Sequence, residues 1–238
     1  MLPKAILLDL DDTILTEEKA GDTAWERVCE LSARETGLFS SKVLNDKIND
    51  IRHKFWDDVG NRAIGAKDIF QARIGIVRQA LSELNCDDEQ LADSIVRRYT
   101  ILKIEVTDFI PDAEVTIKHL KNKGVKLAIL TNGEGKEQRV RIERFGLSNL
   151  IDNYLIAGEL GFGKPDQRIF QMALSQLNVQ PKETWMVGDR LEQDIMGAKN
   201  MGIFAIWFDH GNKGLPRASS VKPDRIINEI KELLTIRE

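Results

Sequence analysis

The sequence predicts an α/β protein: an open parallel sheet with helices on both faces, interrupted by an all-helical insertion. Three observations carry this. Short apolar runs recur that stop abruptly at polar residues, the pattern of strands buried on both faces. Between them lie segments opened by proline and closed by glycine, the usual punctuation of helices. One long stretch, about residues 17–106, carries only the helical period.

Taken in order, Ala5-Ile6-Leu7-Leu8 reads as the first strand and runs into Asp9. In the stretch that follows, Trp25, Val28, Cys29 and Ser32 suggest a first helix. Leu44, Ile48, Ile51 and Phe55 mark a second, and Phe70, Ile74, Val77, Leu81 and Leu84 a third. Leu91, Ile95, Tyr99 and Leu102 mark a fourth. Four such helices can bury their apolar stripes against one another as a bundle. The alternation then resumes. A helix starts at Pro111-Asp112 and stops at Gly124, and a strand, Leu127-Ala128-Ile129-Leu130, runs into Thr131. A helix over about 134–145 ends at Gly146; Asn153 to Ala157 is a weaker strand; Pro165 opens a helix over about 166–177. Trp185-Met186-Val187 runs into Gly188-Asp189, a helix precedes Gly202, and Ile203 to Trp207 is a further strand. The expected organisation is a Rossmann-like core of residues 1–16 and 107–238 with a helical subdomain at 17–106.

The bulk numbers fit one soluble globular chain. Of 238 residues, 42% are hydrophobic and 30% charged, with a formal net charge of −4. That mild acidic balance gives no long-range attraction to nucleic acid or an anionic membrane. The two cysteines, Cys29 and Cys86, sit in no metal-binding spacing, and so few cysteines suit a reduced compartment. No signal-peptide pattern follows Met1, and no apolar run approaches the roughly 20 residues that span a bilayer. The expectation is a cytoplasmic protein.

In open α/β sheets ligands bind beyond the carboxyl ends of the strands. The unusual polar residues fall there: Asp9, Asp11, Thr131, Asn132 and Asp189. Any one of them could be a turn residue or helix cap; as a set from several strand ends they are complementary. In extended chain Asp9 and Asp11 face one side, which leaves Asp12 pointing away as a structural residue. Two close carboxylates can divide their work, one ionised and one protonated for part of a cycle. Asp9 could attack phosphorus while Asp11 protonates the leaving oxygen and later deprotonates water. A carboxylate about 4 Å from a phosphate dianion is repelled by roughly 8 kcal/mol at an effective dielectric near 20. A divalent cation would offset this. Asp9, Asp11 and Asp189 offer oxygen ligands suited to magnesium, and histidine and cysteine are missing from these strand ends. Thr131-Asn132-Gly133, just before a helix, offers donors to phosphate. Lys164, in Gly161-Phe162-Gly163-Lys164-Pro165, could neutralise both phosphate and attacking carboxylate.

These residues resemble the motifs of the haloacid dehalogenase-like phosphatases, in order: Asp9-x-Asp11-x-Thr13, then Thr131-Asn132-Gly133, then Lys164-Pro165, then Gly188-Asp189 with Asp194. The resemblance implies Asp9 as nucleophile and Asp11 as acid/base. It implies magnesium held by Asp9, the main-chain carbonyl of Asp11 and Asp189, with Asp194 in support. Thr131, Asn132 and Lys164 would bind the phosphoryl group, and the inserted helices would be the mobile helical cap that shields the site. Asp11 argues against the dehalogenases, which need no leaving-group acid. Thr131 to Gln138 and Gly188 to Gly202 look most like the N-acylneuraminate-9-phosphatase and pyrimidine 5′-nucleotidase branch. The expected substrate is a small phosphorylated metabolite, a sugar phosphate or a nucleotide. A sugar-phosphate phosphomutase and an idle phospho-ligand binding module are the competing readings.

Other features read as ordinary. His53, Lys54 and Trp56 suit surface and packing positions, and His119 and His210 have no ligand-like spacing. Arg139, Arg141 and Arg144, with Glu137 and Glu143 among them, read as a solvated helix face. The amphipathic run Ile226 to Ile236 is expected to pack on the sheet. Arg190 carries no assigned role.

Overall fold

The computed structural model describes residues 2–58, 60–61 and 68–236. Positions 59 and 62–67 of the helical stretch lie outside the described residues. The chain divides into two compact units, Met1–Thr16 with Asp108–Glu238, and Glu17–Thr107.

Among the described residues the first unit is built on six parallel strands: Ala5–Leu8 (β1), Lys126–Thr131 (β2), Asn153–Ile156 (β3), Thr184–Gly188 (β4), Phe204–Phe208 (β5) and Arg225–Ile227 (β6). Their order is β3-β2-β1-β4-β5-β6. The continuous apolar runs follow from burial on both faces. Ile6, Leu8, Leu127, Ile129 and Val187 enter one core layer, and Ala5, Leu7, Ala128, Leu130 and Met186 the other, as side-chain alternation requires. Helix Ala113–Asn122 (α5) covers the first layer with Ala113, Ile117 and Leu120. Helix Gln167–Leu177 (α7) covers the second with Ile169, Phe170, Ala173 and Leu174. Each fully buried Leu or Ile contributes roughly 1.5–3 kcal/mol. The strand order reverses between β1 and β4, so the ligand crevice of such a sheet lies beyond the carboxyl ends of these two strands.

Two segments keep the expected place and take a more particular form. The run before Gly202 is a π-helical turn, Leu191–Met196, continued by one α-turn, Gly197–Asn200. The C-terminal run packs on the sheet with Ile227, Ile230 and Leu233 buried. It does so through the edge strand β6 and a short 3₁₀ helix, Ile230–Leu234.

The second unit holds Glu18–Thr36 (α1), Ser41–Asp57 (α2), Ile69–Ser82 (α3) and Glu89–Val106 (α4). The side chains of Ser40, Asp68 and Asp88 cap the last three by accepting from backbone N–H groups. Trp25 of α1 stacks on Tyr99 of α4 with ring centroids 3.9 Å apart. The Cys29 thiol is pushed up to about 12 by burial, which suits a packing residue. His53 and Lys54 are exposed and Trp56 is half-buried against the helical core. Within the first unit the chain leaves and returns side by side, with Thr16 N–H donating to Asp108 O at 2.8 Å. Among the described residues no helix is long and apolar enough to cross a membrane.

Candidate active site

Asp9 follows β1, and its N–H donates to Val187 O of β4 at 2.9 Å. This backbone bond holds residue 9 at the point where the strand order reverses. Lys164 is buried, 4% exposed, and its ammonium donates to Asp9 Oδ1. It also lies 2.7 Å from Asp194 Oδ1. Asp194, fully buried, accepts from the Arg190 N–H at 2.9 Å through Oδ2. It reaches this position because residue 188 is glycine: a Cβ there would stand 2.3 Å from Asp194 Cγ. Asp189, at the end of β4, receives Arg190 Nε on Oδ2 at 3.1 Å. Its carbonyl accepts from Trp207 Nε1 at 2.8 Å.

Thr131 ends β2 and is buried, its hydroxyl accepting from Gly133 N–H at 3.2 Å. Asn132 grips the loop that carries Lys164. Its Oδ1 accepts from Lys164 N–H at 2.8 Å and its Nδ2 donates to Lys164 O at 2.7 Å. Gln193 Oε1 takes a further bond from Nδ2 at 3.1 Å. The Asn132 amide therefore sets the position of the lysine whose ammonium meets Asp9.

Asp11 is turned toward helix Gly135–Arg144 (α6). Its Oδ2 accepts from Gln138 Nε2 at 2.8 Å, and its Oδ1 accepts from Arg141 Nη1. The expectation of a solvated arginine face is corrected here: Arg141 is 1% exposed. Gln138, Arg141 and Ile142 share the buried side of α6 because residues three and four apart lie on one face. Arg139 and Arg144 are exposed; Arg139 pairs with Glu159. Asp12 has φ 59°, so the chain has left the extended form by then, and its carboxylate acts on Asp189. The strict alternation that set Asp12 aside does not hold at Asp12 itself.

Three carboxylates face one ammonium. Asp9, Asp189 and Asp194 each place an oxygen within 4.8 Å of the others. Burial pushes the Asp9 carboxyl well above the usual range; Lys164 opposes this, and Asp194, Asp189 and Asp11 add to it. Burial likewise pushes Asp189 up to about 7, against Arg190 and with Asp194 and Asp12. Burial alone would lower the Lys164 value, but Asp194 and Asp9 hold it above the ordinary lysine range. Burial is the first cause of both carboxyl shifts, and three carboxylates outnumber the one buried lysine, with the exposed Arg190 guanidinium on Asp189 as the second cation, so the buried negative charge is in surplus.

The surplus fits a hard divalent cation. Asp9 Oδ2 and Asp189 Oδ1 are buried and accept no hydrogen bond among the described residues. Buried acceptors are rarely left so. An all-oxygen donor set suits magnesium. The third carboxylate of the cluster is Asp194, while the Asp11 side chain is engaged by α6.

The structure thus brings Asp9, Lys164 and Asp189 together, with Thr131 at the end of β2 and Asn132 holding the Lys164 backbone. Sequence reasoning missed Gln138, Arg141 and Gln193. The 138–141–142 spacing was the available signal for the first two.

The family model described as haloacid dehalogenase-like hydrolase matches residues 3–202. A phosphoserine phosphatase from Thermus thermophilus is 30% identical, covering 97% of this chain and 97% of its own. A glyceraldehyde 3-phosphate phosphatase from Pyrococcus furiosus is 28% identical, covering 99% of this chain and 93% of its own. Among solved structures, a magnesium-bound HAD-hydrolase, YfnB from Bacillus subtilis, superposes with a TM-score of 0.76. It covers 99% of this chain and 98% of its own at 20% identity, a likeness of fold.

Proposed function

The chain belongs to the haloacid dehalogenase-like hydrolase family, and we propose that it is a magnesium-dependent phosphomonoester hydrolase acting through an aspartyl-phosphate on Asp9. The observation that carries this reading is the meeting of Asp9, Asp189 and Asp194 with the Lys164 ammonium at the ends of β1 and β4. Relatives named for phosphoserine and glyceraldehyde 3-phosphate support a small phosphorylated metabolite as substrate; sugar phosphates and nucleotides belong to that class.

Magnesium would be held by the carboxylates of Asp9 and Asp189 and the main-chain carbonyl of Asp11, with Asp194 in support. When bound it offsets the repulsion between Asp9 and an incoming phosphate dianion. The residues do the rest. Lys164, kept protonated by its two carboxylates, draws the phosphoryl oxygens toward Asp9. The Thr131 hydroxyl and the Asn132 N–H add donors, while the first N–H groups of α6, those of Lys136 and Glu137, are taken by the Glu134 carboxylate. An Asp9 oxygen attacks phosphorus as the bond to the ester oxygen breaks, and Asp11 delivers a proton to that oxygen. Asp11, now a carboxylate, takes a proton from water; the water oxygen attacks the phosphorus, and Asp9 and inorganic phosphate are released.

Phosphate release from a panel of sugar monophosphates, nucleoside monophosphates and 4-nitrophenyl phosphate tests this. The expected result is release with magnesium and its loss in chelator, restored by adding the ion back. No release from any member of the panel with magnesium present would reject the phosphatase reading. Isomerised sugar phosphate without free phosphate would make the chain a mutase.

A further inference from the structure

We infer that Gln138 and Arg141 are positioning residues for the leaving-group acid: together they fix both carboxyl oxygens of Asp11 at the site. The inference rests on the acid/base role proposed above for Asp11. Gln138 Nε2 holds Oδ2 at 2.8 Å and Arg141 Nη1 holds Oδ1. Gln138 Oε1 stands 3.4 Å from the same Nη1, so the two donors brace each other. The arrangement needs room in the loop before α6. A Cβ at residue 133 would lie 1.9 Å from Gln138 Nε2, so a bare backbone at Gly133 lets the glutamine reach Asp11.

Fold stability alone is a poor account of this cluster. The arginine side chain is 2% exposed and the Asp11 side chain 27%. Burying a guanidinium to meet a partly solvated carboxylate recovers little, and apolar residues fill such a place at least as well. What the pair does provide is orientation. Each carboxyl oxygen has two acceptor directions; one on each is taken by a donor from α6, and one is left for exchange of a proton with substrate or water. The O–H of Asp11 then meets the ester oxygen along a fixed line while the P–O bond breaks. General acid catalysis contributes typically 10²–10⁴-fold and depends on hydrogen-bond geometry.

Leaving groups separate positioning from mere support. An alkoxide leaves poorly without a proton, whereas 4-nitrophenolate leaves well without one. kcat/KM reports the first irreversible step, in which the leaving group departs. The experiment compares kcat/KM on glycerol phosphate and on 4-nitrophenyl phosphate for wild type, Asp11→Asn, Gln138→Ala, Arg141→Met and Arg141→Lys, all with magnesium. Asp11→Asn sets the scale, lowering the alkyl rate far more than the aryl rate. Gln138→Ala and Arg141→Met should shift the alkyl/aryl ratio the same way by about tenfold or more, and Arg141→Lys should return it to within about threefold of wild type. Thermal unfolding in chelator gives a second reading, free of turnover. Asp11→Asn and Arg141→Met should be non-additive, as contacting residues are.

Equal losses on both substrates, or an unchanged ratio, in Gln138→Ala and Arg141→Met would overturn the inference, as would additive unfolding shifts. Should Arg141→Met not fold, Gln138→Ala decides alone. An unchanged ratio in Asp11→Asn itself would instead remove Asp11 as the acid, and a wild type inert on both substrates would remove the phosphatase reading.

Discussion

Asp9→Asn should lower kcat by on the order of 10⁴–10⁶-fold, the range seen when a nucleophile is removed from an otherwise intact site. The amide keeps the shape of the side chain at the end of β1, so the N–H bond from residue 9 to Val187 O is retained. Its oxygen is a poor nucleophile toward phosphorus. The substitution also removes one of three crowded carboxylates, which relieves like-charge repulsion while loosening the hold on Lys164. These effects oppose each other, so the unfolding midpoint in chelator should stay close to that of wild type while turnover is lost. Steady-state phosphate release together with thermal unfolding checks both halves. Residual deamidation to aspartate is excluded by the mass of the peptide that holds residue 9. Turnover within about tenfold of wild type would place the nucleophile elsewhere.

Lys164→Met should damage fold and turnover together. The ammonium is buried between Asp9 and Asp194, and its removal leaves carboxylates facing one another without a cation. Breaking a buried pair from one side typically destabilises by about 3–5 kcal/mol. In a chain of this size each kcal/mol moves the midpoint by about 2–4 °C. Methionine matches the length of the lysine stem and keeps the packing, so the change isolates the charge. The midpoint in chelator should fall by roughly 6–20 °C, and kcat/KM should fall by about 10² or more, because the phosphoryl group loses the charge that offsets Asp9. Adding Asp9→Asn should recover part of the lost stability. A variant with wild-type midpoint and wild-type kcat/KM would contradict the electrostatic account of the site.

The sheet was legible because burial on both faces writes itself into the sequence as unbroken apolar runs, and because each run stops at the residue that turns into the crevice. That rule singles out Asp9, Thr131 and Asp189, which stand at the carboxyl ends of β1, β2 and β4. β6 escaped it: an edge strand of three residues, Arg225–Ile227, with its first two exposed, leaves no apolar run to read. The π-turn at Leu191–Met196 has the composition of an ordinary helix, and it is the geometry that carries Asp194 back over Gly188.

The second tier of the site was not legible. Gln138 and Arg141 sit among Lys136, Glu137, Arg139 and Glu143, so the charged composition of α6 hides the face on which two polar side chains are buried. A periodicity test that counts only apolar residues assigns that face to solvent. Asn132 looked like a donor to phosphate; the position of its side chain against the Lys164 backbone depends on the fold of a loop 32 residues further on. In both cases local pattern names the residue, and only tertiary approach gives its partner.

The direct chemical test is to trap the phosphoryl group on the protein. Enzyme turning over a monophosphate with magnesium is quenched in acid, treated with borohydride, which reduces an acyl phosphate to the alcohol, and digested for peptide mass spectrometry. An aspartyl-phosphate on Asp9 predicts homoserine at position 9, dependent on both substrate and magnesium and missing from Asp9→Asn. Reduction at another carboxylate, or turnover with no reducible acyl phosphate at any position, would contradict it.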